Sequence, residues 1–284
     1  MKNVTMLSIL VFTGPCVGAQ LKLSPVRVEV QDTSAVLKGE ALDSASAVTI
    51  NAGARTFSFA YEGIVETLTI SLLSGDAAST GQIATITVTN PTGSASTTLK
   101  VYPKTGSVLT ASTYTQVLVY SNGKNVGTIA GPHQCVALIK RYYAALDPAR
   151  FGPTGQYSTG TWSGSNGLAK DYYNDDPTGK GLIRIPNDGT LPRPGDVVVF
   201  DSVPGHSSGH VAVIDSEVTI ASTDVEIVEQ NWTASPAGRA KLFFDGDHKL
   251  KRRNCSDDGK GSCWPVLGFL RSAAPVNQIG RAHV

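Results

Sequence analysis

What most constrains this chain is a change of hydrophobic period partway along it. Residues 22–103 carry short runs in which apolar residues alternate with Ser, Thr or charged ones. They are Val26-Arg27-Val28-Glu29-Val30, Thr56-Phe57-Ser58-Phe59, Thr67 to Leu72, Ile83 to Thr89, and Thr98 to Tyr102. Side chains of a strand alternate between faces, so a period of two predicts half-buried antiparallel sheet. Turn residues such as Asn90-Pro91-Thr92-Gly93 separate the runs. About six strands in about eighty residues predict a small β-sandwich. This region contains no His and no Cys, and its acidic residues are scattered, so it reads as a spacer or passive module.

The grammar changes after a short polar linker, residues 104–112, that begins with Lys104-Thr105-Gly106-Ser107. From Thr113 Tyr and Trp become frequent. Gly131-Pro132 opens a helix, Pro being tolerated in a first turn. Val136, Ile139, Tyr143 and Leu146 recur at helical spacing, and Asp147-Pro148 ends the pattern. Asp196 to Phe200, His210 to Ile214 and Val225 to Trp232 read as strands. One helix followed by a sheet predicts an α+β arrangement rather than a doubly wound one.

Residues 1–19 read as an export signal: Lys2 supplies the positive start, Met6 to Phe12 the apolar stretch, and Val17-Gly18-Ala19 a small-residue cleavage site. Cys16 raises the alternative of a lipid anchor, which Gly14-Pro15 before it fits poorly. The expected product is a secreted or periplasmic, envelope-associated protein without a transmembrane segment. A net charge of +1 gives no reason to expect nucleic acid as a partner, and a monomer is expected. The chain has 284 residues, and its 41% hydrophobic content allows a sizeable core. Its final residues, 275–284, form a tail. Ile279 to Val284 within it looks like a translated sequencing adapter, so His283 enters no site argument.

Export changes the meaning of the cysteines. Of the four in the chain, Cys16 falls in the leader, leaving Cys135, Cys255 and Cys263. An odd number in an exported protein implies a free thiol or an intermolecular bridge. Cys255 and Cys263 bracket a polar, Gly-containing loop suited to a short disulfide. Cys135 is left over, in the first turn of the helix, where partial positive charge favours the reactive thiolate form.

A thiolate nucleophile needs a base, usually His. His133 is too close to Cys135 along the helix start, and His206 and His248 lie in loop-like stretches. His210 opens a strand directly after Gly209, which gives a base the rigidity it requires. The imidazole needs an orienting group. Glu229 and Asn231 are two apart in the third strand and are expected to share a face with Val225 and Ile227. Two polar residues on an apolar face are costly to bury without partners, and a nearby His would supply one.

Together these segments resemble the CHAP family, the cysteine, histidine-dependent amidohydrolases/peptidases of the papain-type superfamily. Gln134-Cys135-Val136, Arg141-Tyr142-Tyr143, Pro194-Gly195-Asp196-Val197, Gly209 to Ile214 and Glu229-Gln230-Asn231-Trp232 stand in that family's order and spacing. Val119 to Gly123 is similar to the segment before the catalytic Cys in many members, including the glutathionylspermidine amidase branch. While the all-β sandwich expected over residues 22–103 itself resembles the immunoglobulin-like modules often attached to bacterial surface enzymes, the CHAP resemblance implies a papain-like α+β domain after it, over residues 113–274. It implies Cys135 as nucleophile, His210 as base, and Glu229 or Asn231 as orienter with the other as a fourth member. Gln134 and Tyr120 would line the cleft or oxyanion hole.

Its activity would be cleavage of an amide bond in bacterial peptidoglycan, as N-acetylmuramoyl-L-alanine amidase or cross-bridge endopeptidase, without a cofactor. The other readings are an amidase on a small glutathionylspermidine-like conjugate and a non-catalytic surface-binding module. Residues 163–173 match the family loosely. Asn174-Asp175-Asp176 and Asp257-Asp258 lack the ligand spacing of a calcium loop, and His248, Cys255 and Cys263 lack a tight zinc pair, so no metal site is expected.

Overall fold

A computed structural model describes residues 20–128, 133–146, 168–174, 182–203, 206–232, 237–252 and 264–272. The leader expected at residues 1–19, the Cys255–Cys263 bridge and the tail at 275–284 lie outside the described residues. Two compact units emerge: residues up to Ala78 with Gln82–Val101, and Ser79–Gly81 with the chain from Tyr102 onward.

Among the described residues the first unit is all β. Its strands are β1 (Lys22–Leu23), β2 (Val26–Glu29), β3 (Ser34–Glu40), β4 (Ala47–Ile50) and β5 (Gly53–Arg55), then β6 (Phe57–Glu62), β7 (Val65–Ser71), β8 (Ile83–Asn90) and β9 (Gly93–Tyr102). They form two sheets, ordered β1-β3-β7-β6 and β2-β9-β8-β4-β5. Alternation directs Leu37, Leu68 and Ile70 of one sheet and Val48, Ile86, Val88 and Leu99 of the other into a single core. Each such side chain contributes about 1.5–3 kcal/mol when fully buried. The Asn90–Gly93 turn closes the β8–β9 hairpin, with the Asn90 side-chain oxygen accepting from the Thr92 amide. The sandwich has more strands than the alternating runs announced, because β3 and β4 dilute their pattern with Gly, Ala and Thr.

The second unit begins earlier than its hydrophobic pattern indicates. Within residues 104–112, expected as a linker, β10 (Val108–Ala111) pairs with β11 (Leu118–Tyr120). A 3-10 turn follows at Gly123–Asn125, then α1 (Cys135–Leu146) and a single-turn α2 (Asp171–Asn174). Seven strands complete the unit: β12 (Leu182–Pro186), β13 (Val197–Phe200), β14 (His210–Ile214), β15 (Asp224–Glu229), β16 (Arg239–Phe244), β17 (Leu250–Arg252) and β18 (Val266–Ser272). They form one antiparallel sheet ordered β12-β18-β13-β14-β15-β16-β17.

The central strands β13 and β14 are buried along their whole length, so this sheet is covered on both faces. Val197, Val199, Val211, Val213 and Val228 meet Leu138, Ile139, Tyr142 and Tyr143 of α1. Ala212, Ile214, Val225 and Ile227 turn the other way, into a core with Leu242, Phe269, Trp232 and Trp264. Asp196 and Arg271 form a two-pronged ion pair (2.9 and 2.7 Å) that ties the entry of β13 to β18.

Candidate active site

Cys135 is the first residue of α1, and Gln134 before it acts as the cap: its carbonyl accepts the Ala137 amide at 3.0 Å. Cys135 is half-buried and packs against the core between helix and sheet. His210 opens β14 and is 3% exposed, its backbone fixed opposite Phe200. Its ring lies 4.6 Å from Trp232 and 5.8 Å from Phe200, centroid to centroid. Gly209, with φ of +67°, brings the chain into β14 so close to the Phe200 carbonyl that a Cβ would stand 2.5 Å from it, which excludes other residues there.

Glu229 is 1% exposed at the end of β15, and one of its carboxylate oxygens lies 2.9 Å from His210 Nε2. Burial of the His210 ring works against its charge. The neighbouring Cys135 charge and hydrogen bond, followed by those of Glu229, more than offset it and raise the His210 pKa to about 9. The structure thus brings Cys135, His210 and Glu229 together.

Asn231 departs from the expected arrangement. β15 stops at Glu229 instead of running to Trp232, and Asn231 adopts a φ of +63°, a conformation Asn tolerates better than most residues. The alternation breaks there, so Asn231 does not continue the face of Glu229. Its Oδ1 accepts from Asn122 Nδ2 and the Gly127 amide, both at 2.9 Å. Its Nδ2 donates to the Thr128 carbonyl (2.8 Å) and to Gln134 Oε1 (2.6 Å). These bonds use the full capacity of the amide, and none goes to His210.

Tyr120 lies half-buried at the end of β11. Its amide donates to Gln230, and its ring sits 4.9 Å under the Arg141 guanidinium and 5.3 Å from the His133 ring. His133 therefore faces Tyr120, His206 stacks 5.2 Å from Trp264, and His248 sits in the turn after Asp245. No cluster of three or more His, Cys, Asp or Glu able to hold a metal occurs among the described residues.

Three residues that the sequence reading did not single out belong to this region. Gln230 is completely buried on the helix-facing side, next to Val228. Its Oε1 accepts from the Tyr120 amide (2.9 Å) and from Arg141 (2.7 Å), and its Nε2 donates to the Gln134 carbonyl (3.0 Å). Asn122, also buried, accepts the His133 amide at 3.3 Å. Trp264 closes the aromatic wall with Trp232, at 4.9 Å. A strict alternation through Val228 points Gln230 at the helix and was the one signal for it.

A thiol at a helix start beside an imidazole and its buried carboxylate partner forms a set able to run nucleophilic acyl transfer. Residues 122–231 match the family model of the CHAP domain, a family that is in general hydrolytic, of amidases and peptidases. No curated protein matches the chain. Among solved structures, the chain is similar to the crystal structure of Ly7917, at 16% identity and a TM-score of 0.33, over 50% of this chain and 54% of that one. It thus spans about half the length of that protein. It is also similar to titin M4 (18% identity, TM-score 0.21, 30% of this chain and 95% of that one). A third is the Bacteroides ovatus mixed-linkage glucan utilization locus protein SGBP-B in complex with a mixed-linkage heptasaccharide (14% identity, TM-score 0.23, 87% and 72% covered). Scores this low do not establish a shared fold.

Proposed function

We propose that the second unit is a papain-like cysteine amidase or endopeptidase acting on the peptide part of bacterial peptidoglycan, exported by the leader at residues 1–19. The observation that carries this reading is the buried His210 ring held between Glu229 and Cys135. Glu229 takes Nε2 and so turns the other ring nitrogen toward the sulfur.

The Cys135 thiolate attacks the amide carbonyl, and the tetrahedral oxyanion is held by donors that include the Cys135 backbone N–H. His210, charged while the pair is intact, passes its proton to the leaving amine as the C–N bond breaks. Water then attacks the thioester with His210 taking its proton; the C–S bond breaks, the thiolate–imidazolium pair is restored, and the acid product loses its remaining proton to solvent. Glu229 keeps the imidazole oriented and stabilises its charge throughout.

Purified peptidoglycan digested with the full chain, with Cys135→Ala as control, tests this directly. Mass spectrometry is expected to show new amine and carboxylate termini in peptide stems or bridges, or peptides freed from amino sugar, with the wild type alone. Equal products from Cys135→Ala, or none from the wild type, would reject the reading.

A further inference from the structure

Beyond Cys135, His210 and Glu229, two adjacent side chains grip the residue that precedes the nucleophile. Gln230 Nε2 donates to the Gln134 carbonyl, and Asn231 Nδ2 donates to the Gln134 side-chain oxygen. Both amides are locked in orientation by backbone groups that leave no choice of which end is oxygen. The Tyr120 N–H must meet the Gln230 oxygen, while the Gly127 N–H and the Thr128 carbonyl fix the two ends of Asn231. Arg141 anchors the Gln230 oxygen from the side of α1.

The peptide unit joining Gln134 to Cys135 is planar and trans, so its carbonyl and the Cys135 N–H point in opposite directions along one rigid plate. Fixing the carbonyl fixes the N–H. That carbonyl accepts two bonds, from Ala137 N and Gln230 Nε2, and accepting hydrogen bonds polarises the peptide and strengthens its N–H as a donor.

We infer that Gln230 and Asn231 are positioning residues that orient the Gln134–Cys135 peptide and thereby aim the Cys135 N–H at the oxyanion. In this assignment Asn231 acts through Gln134 and not through His210. The inference rests on the nucleophile and oxyanion reading given under Proposed function.

Gln230→Glu breaks the grip: it keeps an oxygen for Tyr120 N–H and Arg141, replaces the donor facing Gln134 by an acceptor, and adds a negative charge against the Arg141 guanidinium. Asn231→Asp acts from the other side: it removes the donor shared by Gln134 Oε1 and the Thr128 carbonyl, adds a negative charge, and keeps the oxygen that serves Asn122 and Gly127. Two measurements are paired on the full chain: release of peptides from purified peptidoglycan, and alkylation of Cys135 by iodoacetamide, followed at that residue by mass spectrometry across pH. Alkylation needs the thiolate, which the His210 imidazolium stabilises near neutral pH, but no oxyanion donor.

The expected result for either variant is a fall in kcat of about 10- to 100-fold with KM little changed. The alkylation rate stays within about 3-fold of wild type and keeps its alkaline inflection, which certifies an intact site. Wild-type hydrolysis in both variants would overturn the inference. So would alkylation that slows in step with hydrolysis, or an inflection displaced by Asn231→Asp as it is by Glu229→Gln, since each would place the effect on the thiol or on His210. If Gln230→Glu does not fold, Asn231→Asp alone decides. Hydrolysis persisting in Cys135→Ala would instead sink the underlying reading, whatever the two variants do.

Discussion

The two units enclose the same kind of aliphatic interior but very different polar content. In the sandwich, few polar side chains are buried, and each has a local structural task. Thr67 caps the Ala60 carbonyl, Asn90 shapes a turn, and Asp76 pairs with Arg55. In the second unit Ser121, Asn122, His210, Glu229 and Gln230 are all buried, gathered where β14 and β15 meet the start of α1. Burying such groups costs free energy unless each is partnered, and a fold that accepts this at one end of one sheet is spending stability on placing chemistry. Under the proposed function the difference separates a unit whose buried polar groups hold its shape from one whose buried polar groups also surround Cys135 and His210, and perturbing each should produce different kinds of loss.

After loss of the nucleophile itself, the largest effect falls on Glu229. Glu229→Gln keeps the side-chain volume but removes the negative charge beside Nε2, and an amide can present the wrong tautomer partner to the ring. Activity is expected to fall about 10²- to 10⁴-fold. The same change lowers the pKa of His210, so the alkaline limb of the rate profile should move toward neutral pH. An unshifted limb measured on peptidoglycan release would show that Glu229 does not set the charge of the ring.

In the wild type that limb is expected near 9, where His210 loses the proton it gives to the leaving amine. The same titration affects stability. Because the folded pKa is raised above the ordinary value of 6.5, the contribution of the charged ring is fully present below about pH 6.5 and is lost as pH rises through about 9. Urea unfolding followed by Trp fluorescence should therefore show a falling midpoint between these pH values. Cys135→Ala should flatten that fall, because it removes the largest influence raising the pKa.

Much of this was legible in the sequence, for physical reasons. The β8 strand and the strand opened by His210 announced themselves because a half-buried strand must alternate and a doubly buried one must be continuously apolar. The placement of Cys135 at a helix start and of His210 at a strand start was legible because the apolar spacing on either side marks both elements. β3 was not, since Gly39 interrupts its pattern; a Cβ there would stand 2.2 Å from the Lys22 carbonyl. The strand face of Asn231 was misread because alternation cannot foresee a left-handed residue. Gln230 stayed hidden because an amide becomes informative only when its partners, here 96 and 110 residues away along the chain, are known.

In the sandwich the expected losses are of stability alone. Asp76 accepts from Arg55 at 2.7 and 2.5 Å and from the Leu73 amide at 2.8 Å, and Arg55 holds its carboxyl below the usual range. Asp76→Ala strands a buried guanidinium and an amide, and should cost about 1–3 kcal/mol. Every Trp of the chain (Trp162, Trp232 and Trp264) lies in the second unit, so Trp fluorescence reports that unit while far-UV circular dichroism reports both. The variant should shift a transition seen by circular dichroism and leave the Trp transition and the hydrolysis rate in place. A matching shift in both would mean that the two units do not unfold independently.

The smallest effect belongs to the solvent-facing hydroxyl ladder between β8 and β9, where Thr87 meets Ser96 at 2.9 Å and Thr89 meets Ser94 at 2.8 Å. These bonds are as short as those of Gln230, yet water can replace either partner, so Thr87→Ala should cost only a few tenths of a kcal/mol. The buried donor of Gln230 has no such substitute, and the value of a hydrogen bond in this protein is set by what takes its place when it is removed. A loss above about 1 kcal/mol for Thr87→Ala, read from the circular dichroism transition, would break that contrast and show the exposed ladder to be more than a cover for the core beneath it.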